Sequence, residues 1–185
     1  WTFSFKPRIA YKQQSERDWL SDYKTIYVIK DVERFWCVYN NIPCITDMPH
    51  GSIYSVFRNG IHPSWEHADN RHGFSWVLYG CKNTSKEYTR HLYESSLLAL
   101  ISCSYKYESF LNGCTFEKKT KGDKFVYWFN GNPEDGDVSK LREDMLIELL
   151  TIMNIRTQDY FVCDDMTKID WKLPEFKSKK ICIKL

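Results

Sequence analysis

With 185 residues, 43% of them hydrophobic, and a formal charge of +2, the chain has the size and composition of one domain with its own core, and a single domain over residues 1–185 is expected. The charge is too small for a protein that coats nucleic acid through phosphates alone, so any nucleic-acid role must rest on a local site. The longest aliphatic run, Leu97 to Ile101, is far too short to cross a bilayer, which excludes a membrane segment.

The opening stretch WTFSFKPRIA lacks a basic start, a continuous apolar middle and a small-residue cleavage site, so no signal peptide is expected there. Residues 23–29, YKTIYVI, are β-branched and aromatic and predict a strand, stopped by Asp31, which is placed to cap a helix over VERFWCVYNNI. Val32, Phe35, Trp36 and Tyr39 share one face of that helix. Residues 60–76, GIHPSWEHADNRHGFSW, are mostly polar yet carry Trp65 and Trp76, with the acid Glu66 directly after the first. FSWVLYG at 74–80 predicts a strand, and a helix follows from about Ser85 to Ser102 with Leu92, Ser96, Leu97 and Leu100 along one side.

Two strands come next, within TFEKKTK and KFVYWF, joined by Gly122-Asp123, a pair suited to a two-residue hairpin turn. In that register Lys121 faces Lys124, and period-two alternation puts Lys119 on the same face. Three neighbouring ammonium groups repel one another, so an anion is expected among them. Asp137 is placed to cap a third helix through about Ile152, with Leu141, Met145, Glu148 and Leu149 in line, before strands near 159–163 and 180–184. The order predicts an α+β fold, an antiparallel sheet with helices on one face.

Seven scattered cysteines without a Cys-x-x-Cys pair predict reduced thiols, hence cytosol or nucleus. His62, His67 and His72, with Asp69 nearby, match no common zinc spacing and have no cysteine close by, so no metal is assigned. No P-loop, nucleophile elbow or dinucleotide fingerprint is present, and neither an enzyme nor a cofactor is expected. What remains is tryptophan outside helices, an acid beside one tryptophan, and a lysine-rich turn. Flat aromatic side chains bind flat bases, and bind a ring-methylated, cationic base better. A carboxylate accepts hydrogen bonds from guanine N1 and N2 while offsetting the positive charge, and lysines take a phosphate chain.

The stretches DVERFWCVYN, YSVFRNGIHPSWE, GFSW and KGDKFVYWF, in this order and spacing, resemble the eukaryotic translation initiation factor 4E family, which binds the 7-methylguanosine cap of messenger RNA. The resemblance runs from about Trp19 to Leu185 and implies a curved antiparallel β-sheet backed by three α-helices on its convex face, with the cap in the concave face. It makes Trp19 and Trp65 the two stacking plates, Glu66 the reader of the Watson–Crick edge and Trp128 the residue edge-on to the methyl group, with the Trp65 backbone N–H reaching guanine O6. Lys119 and Lys124 match basic positions that contact the triphosphate, and Lys121 sits between them. Many family members have an arginine where this chain has Ser75, whereas Trp76 is assigned to packing.

The same resemblance places Val32 and Trp36 on the convex back. There an amphipathic helix of a scaffold initiation factor 4G-like protein or a 4E-binding repressor docks through a Tyr-x-x-x-x-Leu-hydrophobic motif. A second family contact is a Leu-Glu pair on the next helix; anchoring on LLALI puts Glu94-Ser95 there, and anchoring on the glutamate gives Tyr93-Glu94. The expectation is a monomeric cap-binding protein of translation initiation. The alternatives are a cap-binding repressor, a cap-independent interaction module on the same fold, and a general single-strand RNA binder. Trp171 is assigned to packing of the last loop.

Overall fold

A computed structural model of the chain describes residues 1–8, 19–80, 84–102, 104–131, 138–155, 160–163 and 177–183, with the side chains of residues 19, 138–142, 160–163 and 177–183 outside the description. Asp137 and Trp171 lie outside the described residues, and so does the side chain of Leu141. The strands are β1 (Thr2–Lys6), β2 (Lys24–Val28), β3 (Ile53–Phe57), β4 (Phe74–Tyr79), β5 (Leu111–Glu117), β6 (Lys124–Phe129), β7 (Tyr160–Cys163) and β8 (Lys177–Ile183). They form one sheet in the order β2-β1-β3-β5-β6-β4-β8-β7. The helices are α1 (Val32–Asn41), α2 (Ala68–Arg71), α3 (Lys86–Ile101) and α4 (Val138–Ile152), of which α2 is a single turn.

Helix starts follow local chemistry. Asp31 accepts from the Arg34 amide at 2.8 Å and from the Arg34 guanidinium, opening α1, and these bonds hold its carboxyl below the usual range. Ser85 accepts from the Tyr88 amide at 3.1 Å and opens α3. Strands β1 and β3 are additional to those read from the sequence, although Thr2 and Ser4 alternate with Phe3 and Phe5 as a half-buried strand requires.

Most ladders are antiparallel, but β4 and β8 run parallel, pairing Phe74 with Lys177 through Tyr79 with Cys182. Everything from α3 to β7 lies between them in the chain, the long crossover that a parallel pair needs. The sheet is curved and open, with the helices on its convex side. Between sheet and helices, Phe3, Tyr54, Val56, Trp76, Phe116, Tyr127 and Phe129 meet Phe35 of α1, Leu92, Leu97 and Leu100 of α3, and Met145 and Leu149 of α4. Trp76, at 1% exposure, belongs to this core, as the sequence predicts.

Alternation sends the intervening residues to the opposite, open face. There Phe57, Val77, Val126 and Trp128 form a second, smaller cluster. Among the described residues no helix is long and apolar enough to cross a membrane.

Candidate nucleic-acid interface

The open face is built in rows fixed by register. One row runs Thr2, Phe57, Gly113, Trp128, Ser75 from β1 to β4. Gly113 is required there: a Cβ would stand 2.4 Å from Phe57 Cγ and 2.5 Å from the Val56 carbonyl oxygen. Its absence lets the Phe57 ring lie across β5 and meet Trp128 edge-on, with centroids 5.9 Å apart at 65°. Trp65, half-buried, and Ile61 pack against this cluster, so two of the expected base-binding tryptophans share one surface. Trp128 is itself 8% exposed, and Ser75 beside it is buried at 1%.

The loop from β3 to α2 brings Trp65 to that surface and leaves Glu66 exposed next to it. Buried Ser64 orients the acid. Its hydroxyl donates to Glu66 Oε2 and accepts from the Glu66 amide at 3.2 Å. Asn70, fully buried, clasps the loop from beneath, donating to the carbonyls of His62 (2.8 Å) and Ser64 (2.7 Å). Its own carbonyl accepts from Asn112 of β5 at 2.9 Å, and Asn112 also donates to the Asp69 carbonyl at 2.8 Å. The loop is thereby fastened to the middle of the sheet by two side-chain amides. Of the three histidines, His67 accepts from the Asp69 amide at Nδ1 (3.3 Å) and contacts the Gly60 carbonyl through Nε2 (3.0 Å), which fits the tautomer with hydrogen on Nε2.

Asn70→Ala leaves two loop carbonyls and the Asn112 amide without their buried partner, a loss of about 2 kcal/mol. Urea unfolding is expected to register that loss, and amide hydrogen exchange at residues 64–66 to accelerate before that of β5. Unchanged exchange at those amides would remove the clasp from the account of the loop.

Trp19 opens a 3-10 turn, Trp19–Asp22, tied to β1 by an ion pair between Asp22 and Lys6 at 3.5 Å, both largely buried. Across a cavity of about 580 Å³, Leu20 and Ser21 of this turn face Ile61 and Pro63 of the Trp65 loop, with Ser4 and Ser55 of the open face also lining it. Chain neighbours of Trp19 and of Trp65 therefore line one space.

The lysine turn differs from the sequence reading. Glu117, not Lys121, pairs with Lys124, so residues 118–123 form the connection and Lys119 and Lys121 lie outside the ladder. Asp123 is the cause: its nearly buried carboxylate accepts from the Lys119 amide (3.1 Å) and from Lys118 Nζ (2.9 Å), closing a wider loop from inside. Gly122 takes the positive φ of +124° that this closure needs. Nor do three ammonium groups stand together unopposed, because Lys119 and Lys124 both reach Glu117, at 2.7 and 3.2 Å. Lys121 is exposed.

On the convex side α1 splits the face expected of it. Phe35 and Val38 turn into the core, while Val32 and Trp36 stand 57% and 42% exposed. Tyr93 is corrected outright: at 1% exposure it packs edge-on to Phe116 (4.9 Å) and stacks with Tyr54 (6.3 Å), so it offers a partner nothing. Glu94 stays at the surface and accepts from the Tyr39 hydroxyl, joining α3 to α1; burial first, then Glu94, pushes that hydroxyl well above its usual range. Leu98, one helical turn beyond Glu94, is 40% exposed, an outward apolar position that was not singled out from the sequence although its i, i+4 spacing from Glu94 was legible there.

The family model for eukaryotic initiation factor 4E matches residues 1–173. The translation initiation factor 4E of Aplysia californica is 31% identical over 119 residues, covering 64% of this chain and 55% of that protein. That of Dictyostelium discoideum is 30% identical over 110 residues, covering 60% and 43%. The chain thus spans about half the length of the curated relatives it matches. Among solved structures, eIF4E-3 of Ascaris suum in complex with an m7G cap superposes with a TM-score of 0.75 at 25% identity, covering 86% of this chain and 84% of that one. With a sheet backed by three long helices on one side, a tryptophan-bearing open face on the other and a family match over nearly its whole length, the chain belongs to the eukaryotic initiation factor 4E family.

Proposed function

We propose that this chain binds the 7-methylguanosine cap of messenger RNA in translation initiation. The observation that carries the reading is Trp65 packed on the open-face cluster that holds Trp128, with the exposed carboxylate of Glu66 directly beside it. A guanine methylated at N7 is a flat cation, and the electron-rich face of an indole attracts it more than a neutral base. Trp65 stacks on one side of the base and Trp19, from across the cavity, on the other, while Trp128 meets the methyl group. Glu66 accepts from guanine N1 and N2, with one oxygen steadied by Ser64, and the Trp65 backbone N–H donates to O6. Lys119, Lys121 and Lys124 neutralise the triphosphate. Similarity to the Ascaris protein solved with an m7G cap supports the assignment. No bond is made or broken in this scheme, so the chain acts as a binding protein rather than an enzyme.

Val32, Trp36, Glu94 and Leu98 form the second surface of the proposal, on the convex back, for a helix of a scaffold initiation factor 4G-like protein or a 4E-binding repressor. The chain works as a monomer between these two ligands, in the reducing cytosol or nucleus where the free thiols of Cys37, Cys44 and Cys114 persist.

Titration with 7-methylguanosine triphosphate and with GTP, followed by tryptophan fluorescence, tests the cap assignment. The methylated ligand is expected to bind at least about 30-fold more tightly, the equivalent of ~2 kcal/mol from a desolvated cation–π contact. Equal affinities would overturn it in favour of sequence-tolerant binding of single-stranded RNA.

A further inference from the structure

Beside the lysines assigned to the phosphates stands a carboxylate that the cap scheme does not use. Glu117, the last residue of β5, pairs across the ladder with Lys124 and belongs to the open-face row of Ile53. Its two oxygens are divided between two ammonium groups, Oε2 at 2.7 Å from Lys119 and Oε1 at 3.2 Å from Lys124. The Glu117 side chain is 14% exposed, whereas Lys119 is 47% exposed. A mobile surface acid would swing aside at little cost; this one is a fixed charge facing an open cation. Lys118 is occupied in turn by Asp123 at 2.9 Å, which leaves Lys121 as the lysine of the turn without a described carboxylate partner.

A phosphate chain reaching Lys119 and Lys124 meets a carboxylate already paired with both ammonium groups, and meets it as a like charge. We propose, resting on the cap reading above, that Glu117 is a specificity-determining residue that competes with the phosphate chain for Lys119 and Lys124. Each ammonium exchanges one anionic partner for another, so the phosphates add only the difference between the two. Affinity then resides chiefly in the base, and the site distinguishes a methylated guanine from other nucleotides more sharply than it distinguishes a triphosphate from a nucleoside. Buried Ser75, which supplies no cation on this face, acts in the same direction.

Glu117→Gln keeps the shape of the side chain and removes its charge; Glu117→Ala serves as the second variant should the amide disturb the turn. Calorimetric titrations with 7-methylguanosine, 7-methylguanosine triphosphate and inorganic tripolyphosphate separate the contributions. The substitution is expected to tighten triphosphate binding about fivefold at low salt, a gain that shrinks as ionic strength rises, and to leave the nucleoside unchanged. Unchanged or weaker triphosphate binding would overturn the proposal, because Glu117 would then be holding the lysines in place for the ligand. If the unsubstituted protein binds neither methylated compound, the cap assignment fails on its own. Tripolyphosphate then decides the question about Glu117: tighter binding to the variant upholds the competition, and equal binding overturns it.

Discussion

Trp65→Ala is expected to weaken binding of 7-methylguanosine triphosphate about 100-fold, combining ~1–3 kcal/mol of stacking with a cation–π contribution of similar size. The fold should tolerate the change, since Trp65 lies half-buried on the rim of the open-face cluster and outside the main core. Trp76, eleven residues on, supplies the contrast. It is 1% exposed between sheet and helices, so Trp76→Ala removes a core side chain at about 3–5 kcal/mol and lowers stability before it touches a ligand. Glu66→Gln separates the two ingredients of recognition at Trp65. Stacking survives it, but the charge that offsets the methylated ring is gone, so affinity for the methylated nucleotide should fall about tenfold, as for a lost charge-assisted hydrogen bond, and more than affinity for GTP. Fluorescence titration of both variants with both nucleotides checks this, alongside thermal unfolding. Wild-type affinity in Trp65→Ala would remove the residue from the site.

Much of this surface was legible because side chains with strong local preferences sit where the chain changes direction. Asp31 and Ser85 mark the starts of α1 and α3, and both accept the backbone bonds their chemistry predicts. The Trp65-Glu66 pair stood out as an apolar plate beside an acid in a polar stretch. Other features were set by contacts distant in sequence. Gly122-Asp123 has the local signature of a tight hairpin, yet the reach of Asp123 back to Lys118 and Lys119 gives a six-residue connection and moves two lysines off the ladder. Aligning the family's Leu-Glu pair on the glutamate chose Tyr93 with Glu94 but could not say which of them faces the sheet, and an aromatic cage of Tyr54, Phe116 and Tyr39 resolves that toward burial of Tyr93. Asn70 and Asn112 are 42 positions apart, and nothing in either neighbourhood announces the amide pair that holds the Trp65 loop.

The convex surface carries the other large effect. Trp36 is held in a defined orientation by Phe35, with centroids 5.0 Å apart, and by Tyr39 at 5.7 Å, while 42% of it remains exposed. A rigid, partly exposed indole next to an exposed valine is what a docking helix desolvates most profitably, because little side-chain entropy remains to be lost. Trp36→Ala is accordingly expected to weaken a helical peptide bearing Tyr-x-x-x-x-Leu-hydrophobic at least about 30-fold, the ~2 kcal/mol of an interface hot spot. Leu98→Ala should act in the same direction and less strongly, since it presents a smaller exposed area on the neighbouring helix. Neither change reaches the open face of the sheet, so affinity for 7-methylguanosine triphosphate should stay the same in both. Fluorescence anisotropy of a labelled peptide, with a cap titration of the same preparations, measures the two surfaces separately. Loss of cap affinity together with peptide affinity would mean that Trp36 supports the fold through Phe35 and Tyr39 rather than contacting a partner. Loss of peptide binding alone would establish two independent ligand surfaces on opposite sides of one sheet.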